Sequence, residues 1–177
     1  MATSASRFRL FAGLLVAVVS ALSAFAPVVS ADEPEFVPDA WIRRSGGSTY
    51  GRDVYNLTAT DQSIYLTLRP NVLRRVYLTV QNDGNVADTF GLTVICCGSD
   101  GDTVRYFRGR TPSEITDEVE AGTFVTPQLD PGETYVIRVT VVTDGPATHG
   151  SYYARKFIFS SQGGGVPDAA RMWVKRV

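Results

Sequence analysis

Residues 76–96 read VYLTVQNDGNVADTFGLTVIC, and this stretch decides the fold class. Val76, Leu78 and Val80 alternate with Tyr77 and Thr79, while Phe90, Leu92, Val94 and Cys96 alternate with Gly91, Thr93 and Ile95. A two-residue period turns one set of side chains inward and the other outward, so it predicts two strands, each with one buried face. Between them Asn82-Asp-Gly-Asn85 supplies residues that tolerate left-handed backbone, and the chain turns there.

Outward from this pair the same period recurs in Ile64–Leu68, in Tyr135, Ile137, Val139 and Val141, in Tyr153, Arg155, Phe157 and Phe159, and in Met172 and Val174. Turn residues separate these runs at Arg69-Pro-Asn71, Gly98–Asp102, Asp130-Pro-Gly132, Asp144-Gly-Pro146 and Gln162–Gly165. Residues 32–177 contain 17 Val and 16 Thr against 7 Leu and 8 Ala, a balance that favours strands over helices. No window of eleven residues holds a 3.6-residue period, and Ser113–Ala121 is the one segment where a helical turn could sit. The expected fold is therefore all-β: an immunoglobulin-like antiparallel β-sandwich of seven to eight strands over residues 61–177, with a closed barrel as its competitor. Residues 32–60, with Trp41, Tyr50 and Tyr55 among prolines and glycines, read as an extended arm packing on that domain.

Residues 1–31 have the layout of a cleavable signal peptide. Arg7 and Arg9 precede an uncharged apolar run from Leu10 to Ala26, and Pro27-Val-Val-Ser-Ala31 follows as a small-residue tail. Cleavage between Ala31 and Asp32 fits best, with Ala26 as the second choice and an uncleaved membrane anchor as the alternative to cleavage. The expected address is secreted or extracytoplasmic, at the cell envelope, with no membrane attachment once the leader is removed. The mature part then carries 15 Lys and Arg against 18 Asp and Glu, and this near-neutral balance argues against a nucleic-acid partner.

Two stretches taken together, VYLTVQNDGNVADTF (76–90) and LDPGETYVIRVTVV (129–142), resemble the immunoglobulin-like domains of secreted bacterial proteins. They are similar to the NPCBM-associated domain of alpha-galactosidases and to the cell-adhesion-related bacterial immunoglobulin-like modules. The segment from Pro38 to Ser45, with Tyr50 and Asp53-Val-Tyr-Asn56, looks like the opening segment of such modules. The resemblance implies a non-catalytic module acting by binding or structural association, and it transfers no catalytic residue.

The candidate chemistry is sparse. Cys96 and Cys97 are adjacent on one strand and should face opposite ways. Three states stay open for them: a buried Cys96 beside an exposed free Cys97, a vicinal disulfide, and a homodimer bridged through Cys97. His149 is the only histidine and lies in a loop by composition, with no G-x-S-x-G elbow to serve. The acid pairs Asp100/Asp102, Asp117/Glu118/Glu120 and Asp130/Glu133 fall in turns, where solubility and turn chemistry explain them. Calcium could use Asn82, Asp83, Asn85 and Asp88, or Ser99, Asp100 and Asp102, but neither set has EF-hand spacing. Among the aromatics, Tyr77 and Trp173 are the candidate ligand contacts, because each alternates with apolar neighbours and has polar or basic company in Thr79, Arg171 and Lys175. The reading is thus no enzyme, no cofactor and no metal, with an unknown protein or a cell-envelope polysaccharide as partner. Its rival is a small secreted carbohydrate-active accessory protein or hydrolase using loop carboxylates and exposed aromatics.

Overall fold

A computed structural model of the chain describes residues 32–96, 102–143 and 152–177. Among these, nine strands and one short helix follow in the order β1 (Pro38–Arg44), β2 (Thr49–Tyr50), β3 (Ser63–Leu68), β4 (Arg74–Asn82), β5 (Phe90–Cys96), β6 (Asp102–Arg108), α1 (Thr116–Glu120), β7 (Thr134–Thr143), β8 (Tyr152–Ser161) and β9 (Asp168–Arg176). They form two sheets, β2-β1-β4-β7-β6 and β3-β9-β8-β5, which face each other as an immunoglobulin-like sandwich.

The strand pairs are antiparallel apart from β3 and β9, which run parallel from Ser63↔Arg171 to Leu68↔Arg176. The sandwich is thus antiparallel, as expected, with this one parallel pair at an edge. β3 reaches the edge of the second sheet through the loop after β2 rather than through a hairpin, so no turn obliges it to reverse against its neighbour.

Apart from Ile42 on β1, the inward residues are those the alternation selects. Ile42, Val76, Leu78, Val80, Ile137, Val139 and Val141 from one sheet meet Ile64, Leu66, Phe90, Leu92, Phe157, Phe159 and Met172 from the other. Each such side chain contributes roughly 1.5–3 kcal/mol through burial. Tyr106 and Phe157 meet edge to face across the layers, with ring centroids 6.5 Å apart. The helical turn does form, as α1, and Ile115 and Val119 tuck into the core beneath it.

The two quoted motifs meet in space. Asn82 at the end of β4 is fully buried, and its Nδ2 donates to the carbonyls of Val86 and Leu129 at 2.8 Å. The Gly132 amide donates to the Asn82 carbonyl at 2.7 Å. The turn after β4 and the turn before β7 are thereby locked to one another.

Residues 32–60 do more than lie across a finished domain. Pro38–Arg44 is β1, an interior strand paired with β4 from Pro38↔Asn82 to Arg44↔Val76. Its other edge is covered by β2 only at Ile42 and Arg43. At Ala40 two side chains take the place of the missing neighbour: Asp168 Oδ2 accepts from the Ala40 amide at 2.7 Å, and Gln62 Nε2 donates to the Ala40 carbonyl at 3.0 Å. Gln62 Nε2 also donates to both oxygens of Asp168, whose Oδ1 in turn accepts from the Asn56 amide at 2.8 Å. Asp168 is buried, and that burial raises its carboxyl pKa above the usual carboxylate range even though these donors pull it down.

Candidate functional site

The outer face of the four-stranded sheet gathers exposed aromatics and cations. Along β3 the residues Ser63, Tyr65 and Thr67 point outward, because Ile64, Leu66 and Leu68 are buried. On β9 the outward set is Arg171, Trp173 and Lys175, and on β8 it includes Tyr152, Ala154 and Lys156. The register then builds rows across the sheet. Tyr65 lies beside Trp173, which lies beside Ala154; in the next row Thr67, Lys175 and Tyr152 are neighbours; in the row on the other side Ser63, Arg171, Lys156 and Ile95 are neighbours.

Tyr65 and Tyr152 are 68% and 62% exposed, values far above what tyrosines committed to a core would have. Trp173, half-buried between them, stacks nearly parallel to Tyr65, with ring centroids 6.4 Å apart and an 11° angle between the planes. The Arg171 guanidinium sits 5.3 Å from the Trp173 ring centroid, and the Lys175 ammonium sits 5.4 Å from that of Tyr152. Arg171 and Lys156 also donate to the carbonyls of Thr58 and Leu57, so the loop after β2 becomes a wall along one side of the face. A hollow of about 580 Å³ runs between that wall and the rings, lined by Thr60, Asp61, Ser63, Tyr65, Arg171 and Trp173 among others. Flat ring faces beside fixed cations and backbone polar groups are recognition chemistry.

Of the two aromatics expected to contact a ligand, Trp173 therefore lies on this face. Tyr77 does not: it is half-buried on the outer face of the other sheet, beneath the Arg43 guanidinium at 4.4 Å. Thr79, read as its exposed companion, is only 5% exposed, because it sits between Trp41 and Val136 on the neighbouring strands. Tyr65 and Tyr152 were not singled out by the sequence. The alternation that marks β3 pointed to Tyr65, but only strand register places it beside Trp173.

Cys96 is exposed and carries a free thiol, which corrects the reading that buries it. Its parity is inward, with Phe90, Leu92 and Val94, yet burial fades along this edge strand and is lost at its last residue. Cys97 lies outside the described residues, as do Ala31, Ser99, Asp100 and His149, while Asp32 is described and exposed. Several acids have local partners. Glu118 pairs with Arg108 at 3.0 Å, Asp102 with Arg176 at 2.9 Å, and Glu133 accepts from the Asp130 amide at 2.9 Å.

No protein-family model matches the chain, and no curated protein matches it. Among solved structures it is similar to the FixG-related protein from Vibrio parahaemolyticus, with a TM-score of 0.42 and 11% identity over 78% of this chain and 95% of that one. It is also similar to the N-terminal domain of PorA (TM-score 0.43, 10% identity, 77% and 96% covered) and to the CooA pilin subunit from enterotoxigenic Escherichia coli (TM-score 0.37, 13% identity, 78% and 97% covered). Similarity this distant carries no argument about what the chain does. Among the described residues no helix is long and apolar enough to cross a membrane.

Proposed function

We propose that this chain is an exported, non-catalytic immunoglobulin-like module that binds a cell-envelope polysaccharide through the outer face of its four-stranded sheet. The observation that carries the reading is the exposure of Tyr65 and Tyr152 on either side of Trp173, on three adjacent strands. Leaving that much aromatic surface in water is unfavourable unless a partner covers it. Sugar rings suit such a surface, since their C–H faces lie on aromatic rings while their hydroxyls reach polar groups. Here those groups are the Arg171 and Lys175 head groups and the loop that walls the hollow. Export is supported by the signal-peptide pattern of residues 1–31. The sandwich itself is the fold that the NPCBM-associated likeness implies, and kinship with that domain is consistent with this reading.

Of the rival reading, a small secreted carbohydrate-active accessory protein or hydrolase, the hydrolase half draws less support. Three of the acids it could use, Glu118, Asp102 and Glu133, are engaged in ion pairs or turn closure. Co-sedimentation of the exported protein with insoluble envelope polysaccharide from the same cells tests the proposal. Wild type should pellet with the polysaccharide, and the Tyr65→Ala/Trp173→Ala double variant should lose at least tenfold in apparent affinity. Equal pelleting of both would refute the assigned face, and release of soluble sugar during the assay would favour the hydrolase.

A further inference from the structure

Three aspartates converge where β1 begins and β4 ends. Asp39 belongs to β1, Asp53 to the turn after β2, and Asp83 to the turn after β4, and one carboxylate oxygen from each lies within 4.8 Å of the other two. The fold holds them there. Gly51 has φ +104, and a Cβ in its place would stand 2.7 Å from Gln62 Cγ, so only glycine brings the 51–55 loop down onto β1. Gly84 likewise lets the Asp83 turn press on the chain at Glu35, whose carbonyl would collide with any Cβ there. The Asp53 amide donates to Asp39 Oδ2 at 3.1 Å, and the Tyr55 hydroxyl donates to Asp83 Oδ2 at 2.6 Å.

One acceptor in the cluster has no partner. Asp39 is 0% exposed, and its other oxygen, Oδ1, is buried with no hydrogen-bond partner. Such an acceptor is costly unless something satisfies it. Among the described residues no Lys or Arg forms an ion pair with Asp39, Asp53 or Asp83. The nearby Arg52 turns its guanidinium over the Trp41 ring instead, 5.1 Å from the centroid. Asp53 is exposed and Asp83 half-buried, so an ion can arrive from solvent while Asp39 waits at the back of the site.

We propose that Asp39, Asp53 and Asp83 bind a calcium ion that fastens the 51–55 loop to the ends of β1 and β4. An all-carboxylate set with no nitrogen or sulfur selects a hard cation. Oxygens that share one calcium at about 2.3–2.6 Å can lie no more than about 5 Å apart, which matches the spacing here. Water and backbone carbonyls would complete the shell. The site is separate from the aromatic face and does not depend on the polysaccharide reading.

Calorimetric titration of the chelator-treated, exported protein with calcium chloride tests this, with terbium luminescence sensitised by Tyr55 as the second readout. Wild type should bind one ion with a dissociation constant of about 10⁻⁵–10⁻³ M. At 5 mM calcium its melting temperature should rise by about 3 °C or more. Asp53→Asn, exposed and safe for folding, should weaken binding at least tenfold and abolish the sensitised terbium signal, and Asp83→Asn should do the same. Asp130→Asn, in a turn with no part in the cluster, should bind as wild type does. A folded wild-type protein with no heat and no thermal shift at 5 mM calcium would overturn the proposal, and so would undiminished binding in Asp53→Asn.

Discussion

Replacing Asp168 by Asn should loosen the clamp that holds residues 40–56 to the start of β9. Oδ2 of Asp168 accepts from the Ala40 amide, Oδ1 from the Asn56 amide, and Gln62 Nε2 reaches both oxygens at 2.8 and 2.9 Å. An asparagine keeps a single acceptor. Whichever way its amide is turned, the NH₂ group faces a backbone N–H, that of Ala40 or that of Asn56. The variant therefore loses one hydrogen bond to a charged group, about 1.5–3 kcal/mol, and strands a buried donor at about 1–3 kcal/mol. Part of that loss is recovered, because burial already disfavours the ionised carboxyl, as its raised pKa indicates. The net expectation is about 2 kcal/mol, or roughly 4–8 °C in melting temperature for a domain of this size. Urea unfolding at constant m-value gives the energy. Amide hydrogen exchange gives the location: exchange at Ala40 and Asn56 should accelerate more than exchange in β7. Gln62→Ala combined with Asp168→Asn should cost less than the sum of the two single changes, because the residues share one contact. A loss under about 0.5 kcal/mol, or exchange that rises equally everywhere, would show that the clamp does not hold this segment.

Other consequences follow from the same geometry. Burial pushes the Asp39 carboxyl up to about 7, above its ordinary value of 3.8, so in calcium-free buffer its contribution is fully present below pH 4 and is lost as the pH rises through 7. Urea midpoints measured with chelator at pH 5 and pH 8 should differ in that direction, and Asp39→Asn should flatten the difference. Gly51→Ala should destabilise by at least about 2 kcal/mol in thermal unfolding, since it combines a strained φ with a clash at Gln62. Cys96, exposed and free, should be alkylated by iodoacetamide in the folded protein, and peptide mass mapping should find the label there without prior reduction.

The sequence revealed strands wherever one face is buried and the other wet. β3 shows this most plainly, with Ile64, Leu66 and Leu68 inside and Tyr65 and Thr67 outside. β1 was illegible for the opposite reason. Its first five residues are all buried, Asp39 and Trp41 lying beneath the 51–55 loop, so no alternation survives and an aspartate before a tryptophan reads as a turn. β6 was blurred by Phe107, an apolar residue that faces outward under the Arg138 guanidinium. Trp173 could be placed on an outer face from its own strand, whereas its neighbours Tyr65 and Tyr152 come from strands about 108 and 21 residues away and need the register. The aspartate cluster was equally hidden. Asp83 was visible as a loop oxygen donor, but Asp39 and Asp53 join it only because β1 pairs with β4.

Polysaccharide binding by the aromatic face is tested most directly by NMR titration of the isotope-labelled protein with soluble envelope polysaccharide, following backbone amides and the Trp173 indole. Shifts should be confined to the outward residues of β3, β8 and β9, with the Trp173 indole and the Tyr65 and Tyr152 amides moving most. Shifts centred on Tyr77 and the five-stranded sheet, or none at saturating polysaccharide, would contradict it.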